Sequence, residues 1–185
     1  MVPVEIIEKS KAGDRTSQKE LYNRCSKYVY AIVKSYIKDD SHRFDAMQES
    51  FVHIFGSLEK FDATKGSFKS WISKITVNQS VSFLRKHYKL YMSITDEELT
   101  DNIFDNTLDT FDQLSKEEID QLLGDMPLGY KTVFLLSVID GYKHVEIAQI
   151  LDITPETSRT QLMRSINWIK KNILTNFKKL KYESF

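Results

Sequence analysis

Residues 145 to 164 read Val145-Glu-Ile-Ala-Gln-Ile-Leu-Asp-Ile-Thr-Pro-Glu-Thr-Ser-Arg-Thr-Gln-Leu-Met-Arg164, and their spacing describes two helices meeting at a corner. A short helix with Ala148 turned inward runs into a tight turn at Asp152-Ile153-Thr154. The second helix opens on strong start signals: Thr154 can cap it, Pro155 suits its first position, and Glu156 complements the helix dipole. Ala148 lets the helices approach closely, and Ile153 fills the corner between them. This is a helix-turn-helix with its second helix in the recognition role. Along that helix Leu162, Ile166, Ile169 and Ile173 recur at core spacing, while Thr157, Ser158, Gln161, Arg164 and Ser165 share another face with Arg159 beside it. A helix entering the major groove needs such side chains there, since Gln and Arg read base edges and Ser and Thr bond phosphates. The competing reading is a solvated face in an ordinary bundle.

The charge of the whole chain argues against nucleic acid at first sight. Its 185 residues carry 26 Lys plus Arg and 26 Asp plus Glu. That balance hides a layout. Residues 1 to 88 hold 15 basic and 10 acidic side chains, residues 89 to 126 hold 2 and 11, and residues 127 to 185 hold 9 and 5. Two basic blocks therefore flank an acidic one, and the helix-turn-helix sits in the second basic block. Hydrophobic content of 41% excludes wholesale disorder, and only 6 Gly and 3 Pro suit a helical fold.

The first block reads as helices. Leu21, Cys25, Tyr28, Val29, Ile32 and Tyr36 fall at helical spacing. A second helix is expected from about Asp45 to Leu58, with Phe51, Ile54, Phe55 and Leu58 on one stripe and Asp45, Gln48, Glu49 and Val52 opposite. A turn-rich break from Phe61 to Ser67 leads to a third helix, about Phe68 to Lys86. Here aromatic and basic residues mix: Phe61, Lys65, Phe68, Lys69, Trp71, Lys74, Arg85 and Lys86. Trp71, Asn78, Ser82 and Arg85 face one way, whereas Phe68, Ile72 and Ile75 read as core. Single-stranded nucleic acid is held by such mixtures, because rings stack on bases and cations follow phosphates. Four further helices are expected at about Lys116–Leu123, Leu128–Ile139, His144–Leu151 and Pro155–Leu174. The expectation is an all-α chain of two small helical domains, 1–88 and 115–185, joined by a flexible acidic linker, 89–114.

Other functions find little support. The four His are scattered at 42, 53, 87 and 144 without metal-ligand spacing, and no P-loop, GxSxG or dinucleotide fingerprint occurs. No catalytic residue, metal or cofactor is expected. No run reaches the roughly 18 apolar residues of a membrane span. The N-terminus has no signal-peptide core, and the lone Cys25 on an apolar stripe reads as a small buried hydrophobe. A cytosolic protein without membrane insertion follows.

These motifs together resemble the bacterial RNA polymerase sigma factors of the extracytoplasmic-function type, over nearly the whole chain. Leu21-Tyr22 through Tyr28-Val-Tyr-Ala-Ile32 is similar to the opening helix of the family's region-two domain. Asp45-Ala-Met-Gln-Glu-Ser-Phe-Val-His-Ile-Phe55 resembles its polymerase-docking helix, with matching positions at Asp45, Gln48, Glu49 and Phe51. Phe61-Asp62, Phe68-Lys-Ser-Trp-Ile72 and Asn78 resemble the segment that melts the downstream promoter element, which implies DNA contacts at Phe61, Lys65, Ser67, Lys69, Trp71, Asn78, Arg85 and Lys86. Leu128–Leu136, Gly141–Ala148 and Thr157–Arg164 resemble the region-four domain that reads the upstream element. The resemblance implies two partners, core RNA polymerase and promoter DNA in duplex and melted form. Many members are also held by an anti-sigma factor. It further implies a linker threading the polymerase cleft, where Asp105, Asp109 and Asp112 would imitate phosphates. Two positions depart from the family: Ser82 where Asp is frequent, and Lys143 where Ser or Thr usually caps a helix. A stand-alone helix-turn-helix regulator binding duplex DNA as a dimer is the alternative, and a helical scaffold or anti-regulator is a third.

Overall fold

The structure, a computed structural model, describes residues 2–88 and 115–182. The chain divides into two compact units, Met1–Lys89 and Leu90–Phe185. Helices are the regular elements among the described residues, as the sequence leads one to expect. The acidic stretch 89–114, with Asp105, Asp109 and Asp112, lies outside them.

The N-terminal unit begins with a helix the apolar periodicity does not announce, α1 at Val4–Lys11. Gly13, at φ +84, supplies the left-handed turn that ends it, with Asp14 N–H donating back to the Lys9 carbonyl at 3.1 Å. Asp14 then caps α2, Arg15–Tyr36, by accepting from the Ser17 N–H at 2.7 Å. That cap starts α2 six residues before the apolar stripe at Leu21. Leu21, Cys25, Val29 and Val33 recur every fourth residue, and all are buried. Asp39 likewise caps α3, Asp40–Gly56, through Ser41 and His42, so α3 also begins ahead of its apolar positions. A single 3-10 turn at Leu58–Lys60 follows, and Ser67 starts α4, Phe68–Tyr88, by accepting from the Ser70 N–H at 3.0 Å.

Helix α4 packs against both α2 and α3. Small hydroxyl residues permit this approach: Ser50, Thr76 and Ser80 are fully buried, and each returns its hydroxyl to the carbonyl four residues back at 2.7–2.8 Å. No buried donor is left over at those crossings. Ile54, Ile72, Val77, Val81 and Leu84 fill the space between, each fully buried side chain of this size contributing about 1.5–3 kcal/mol.

In the C-terminal unit a capping box opens α5, Lys116–Asp125: Glu118 N–H donates to the Ser115 hydroxyl and Ser115 N–H to the Glu118 carboxylate. Helix α6, Leu128–Phe134, runs on as a wider π turn over Leu135–Ile139 and stops at Gly141, φ +72. Then come α7, His144–Leu151, and α8, Pro155–Tyr182. Leu122, Met126, Tyr130 and Phe134 from α5, its exit and α6 bury against Ile169 and Ile173 of α8. The corner between α7 and α8 turns at Asp152, whose φ of 56 and ψ of 52 place it in the left-handed region that Asp tolerates better than most residues.

At Lys143 the start of α7 holds half a capping box. Its N–H donates to the Glu146 carboxylate at 2.9 Å, but an ammonium side chain offers no acceptor in return. Lys143→Ser restores the missing half and is expected to stabilise the chain by about 1 kcal/mol in urea unfolding; no gain would mean that water already caps this helix equally well.

Candidate nucleic-acid interface

Three groups of residues were expected to carry function, and the structure treats them differently. On α8 the capping expectation holds: the Thr154 hydroxyl accepts from the Thr157 N–H at 3.1 Å. Arg159 is exposed and bonds Glu156 one turn earlier at 3.1 Å, and Thr157 is partly exposed. The remaining four turn inward: Ser158 and Ser165 are 0% exposed, Gln161 1% and Arg164 8%. The periodicity places these residues on one outward face; the expected core positions Ile166, Ile169 and Ile173 are buried, so the buried face of α8 is broader than the spacing indicates and takes in these four as well.

The physical reason at Ser158 is a hydrogen bond. Its hydroxyl lies 2.9 Å from Nδ1 of His144, the first residue of α7, so Ser158 belongs to the joint between the two helices. Burial, and then the positive charge of Arg159, hold the His144 imidazole below its ordinary pKa. Sequence spacing offered no signal for this pair, since fourteen residues separate partners on different helices. At Gln161 and Arg164 three polar atoms, Oε1 of the first and Nε and Nη1 of the second, are buried without a hydrogen-bond partner. In the turn before α7, the Tyr142 phenol is pushed up to about 12 by burial and then by the negative charges of Asp140 and Glu146.

The second group surrounds the start of α4. Phe61 is buried at 8% exposure, edge-on to Phe68 at 5.0 Å and 5.5 Å from Trp71, which in turn stacks on Phe68 at 5.6 Å. Phe61 and Phe68 thus form the floor and half-buried Trp71 the accessible ring above it. Lys65, Ser67 and Lys69 are exposed around that ring. The Lys69 ammonium lies 4.9 Å from the centre of the Tyr28 ring on α2, which holds it at the surface. Within the loop, Asp62 accepts from the Thr64 N–H at 2.9 Å and its hydroxyl at 2.6 Å, bonds that keep the Asp62 carboxyl below the usual carboxylate range. From Trp71 an accessible stripe continues through Lys74, Asn78, Ser82 and Arg85, with Lys86 beside it. The faces of α4 separate at most positions as the spacing suggests, but Ile75, expected in the core, is only half-buried, and the Asn78 side-chain oxygen is buried without a hydrogen-bond partner. Ser82, where the resembled family often has Asp, sits in mid-stripe and exposed.

The third group lies on α3. Asp45 and Gln48 are exposed and Glu49 is half-buried, whereas Phe51 is 5% exposed, its ring 4.4 Å from Tyr22 and 6.0 Å from Phe55. Phe51 therefore anchors the helix under the three polar residues. Phe44 and Val52, at 60% and 70% exposure, flank them on the outside.

Among the described residues no group of three or more His, Cys, Asp or Glu could hold a metal ion, and no helix is long and apolar enough to cross a membrane. Family models match the chain twice: Sigma-70 region 2 over residues 21–89, and Sigma-70, region 4, over residues 116–169. Among curated proteins, RNA polymerase sigma factor SigV of Bacillus subtilis is 28% identical over 141 residues, covering 76% of this chain and 81% of the relative. The ECF RNA polymerase sigma-E factor of Haemophilus influenzae is 23% identical over 188 residues, covering 91% and 93%. A solved structure of CnrH in complex with the cytosolic domain of CnrY matches with a TM-score of 0.48 and 16% identity, covering 92% of this chain and 96% of that one.

The partly buried His144 imidazole sets a pH dependence. Its ordinary value is 6.5 and its folded value lies lower, so as pH falls below 6.5 the unfolded chain takes up the proton first. His144 should thus leave stability intact above that pH and erode it below. Melting curves between pH 5 and pH 8 are expected to fall less steeply toward acid in His144→Gln than in the parent; parallel curves would remove this role for His144.

Proposed function

The chain belongs to the extracytoplasmic-function sigma factors of bacterial RNA polymerase, and from that premise we propose how its residues divide the work. It binds core RNA polymerase and directs promoter recognition and initiation, in preference to acting as a stand-alone regulator. In our reading it does so in the cytoplasm and without catalysis of its own. Residues 1–88 form the docking and melting domain, residues 115–185 the duplex-reading domain, and the acidic stretch 89–114 the linker between them.

Docking falls to Asp45, Gln48 and Glu49, set on α3 by the buried ring of Phe51. Melting falls to the loop and stripe beginning at Phe61. Extruding a base from the stack costs a few kcal/mol, which contacts to the unpaired strand must return. Trp71, accessible above Phe61 and Phe68, offers a ring for stacking; Lys65, Lys69, Arg85 and Lys86 offer phosphate contacts, and Ser67 and Asn78 hydrogen bonds. The observation that carries this reading is the stripe itself: one face of α4 is core, and the other presents a ring followed by polar and basic groups over its whole length.

On α8 the surface available to duplex DNA starts with Thr157 and Arg159. Ser158 serves the joint with His144. Arg164 is a buried guanidinium with two unpartnered nitrogens, a costly arrangement that a phosphate would relieve, and in our reading it and neighbouring Gln161 remain DNA contacts for that reason. Ser165 stays with the core face.

The test is reconstitution. Purified chain, core polymerase and a promoter library are expected to yield transcripts starting downstream of two motifs at fixed spacing. Folded chain that yields none overturns the sigma reading, and a two-fold symmetric site bound by the free chain would replace it with the dimeric regulator. Arg159→Ala should weaken upstream binding at all sequences alike and lower the log–log salt slope by about 0.9, the contribution of one phosphate.

A further inference from the structure

Helix α1 lies before the first residue matched by either family model, and the functional reading above gives it no task. Its last residue, Lys11, reaches fifty positions along the chain. The ammonium donates to the backbone carbonyl of Phe61 at 3.1 Å, lies 5.6 Å from the centre of the Phe61 ring, and is itself held by Glu8 at 2.8 Å. With its side chain 21% exposed, Lys11 is sheltered more than its partner Glu8, at 57%.

We infer that Lys11 is a positioning residue for promoter melting, holding the Phe61 hinge so that the loop to Ser67 and the ring of Trp71 keep their strand-capturing arrangement. The inference rests on the melting role proposed for this segment. Phe61 is the point where the chain leaves its 3-10 turn, and the loop beyond it is organised by contacts of its own, between Asp62 and Thr64 and Lys65. The placement of the whole loop therefore depends on where Phe61 is fixed. Three attachments fix it: its ring, packed against Phe68 and Trp71; its N–H, donating to the Leu58 carbonyl at 3.0 Å; and its carbonyl, held by Lys11. Loss of the last leaves the ring buried and the N–H bonded but releases the peptide that leads into the loop. Fold and docking helix should survive, because α1 also packs along α2 through Ile7 and Ser10, which are buried. A charge-assisted bond to a carbonyl is also stronger than a neutral one, so a guanidinium can replace the ammonium and a thioether cannot.

The experiment compares Lys11→Met, Lys11→Arg and the parent as full chains with core polymerase. Opening is read by permanganate reactivity of unpaired thymines, on a duplex promoter and on the same promoter with its downstream element pre-opened by mismatches. Lys11→Met is expected to retain polymerase affinity and to open the duplex about tenfold less, the loss of one charge-assisted bond, while pre-opened DNA restores it and Lys11→Arg behaves like the parent. Unchanged opening by Lys11→Met overturns the inference. So does a parallel loss of polymerase affinity that pre-opened DNA does not rescue, since that marks a general structural role. If Trp71→Ala opens the duplex as well as the parent does, the melting reading fails instead.

Discussion

What α8 can present to DNA is decided at one corner, where a left-handed residue and a hydrogen bond fix how it leaves α7. Asp152 supplies the turn, and the Ser158 hydroxyl meets the His144 ring across it. Once Ser158 is committed to that joint, the 3.6-residue period determines the rest: Ser165 and Ile169 fall inward with it, and Arg159, one position on, points out. Ile169 and Ile173 then meet the side chains of α5 and α6, so the core of this unit and the orientation of its reading helix are one constraint.

In the other unit the corresponding constraint is the close packing of α4. Ser50, Thr76 and Ser80 are small enough to sit at helix crossings and satisfy themselves within their own helix, which lets α4 bury one face against α2 and α3. Burying that face leaves the Trp71-to-Arg85 face for something else. Basic groups gather at its far end, Arg85 and Lys86, and around the loop at its start, Lys65 and Lys69. A chain neutral overall thus gathers exposed cations at both ends of this face.

Much of this was legible in the sequence, because much of it is periodic. The order of the long helices, the cap at Thr154 and the division of α4 into two faces follow from spacing and local chemistry. Legibility stopped where a polar residue has two uses. Ser158, Gln161, Arg164 and Ser165 look like surface by type, and only the packing of α8 assigns them to the interior. Phe51 shows the converse: it sits among docking positions in the resembled motif, yet its ring belongs under Tyr22 and Phe55. Capped helix starts were also hidden, since α2 and α3 begin just after their caps Asp14 and Asp39, ahead of any apolar stripe. The Lys11–Phe61 and His144–Ser158 contacts join distant parts of the chain, and no local pattern could announce them.

The division of labour between a duplex-reading unit and a strand-opening unit is tested most directly by Trp71→Ala on a promoter that the parent chain opens with core polymerase. Upstream protection from nuclease and downstream permanganate reactivity would be measured on the same complexes. Retained upstream protection with lost downstream reactivity is the expected result. Loss of both together, or loss of neither, would contradict it.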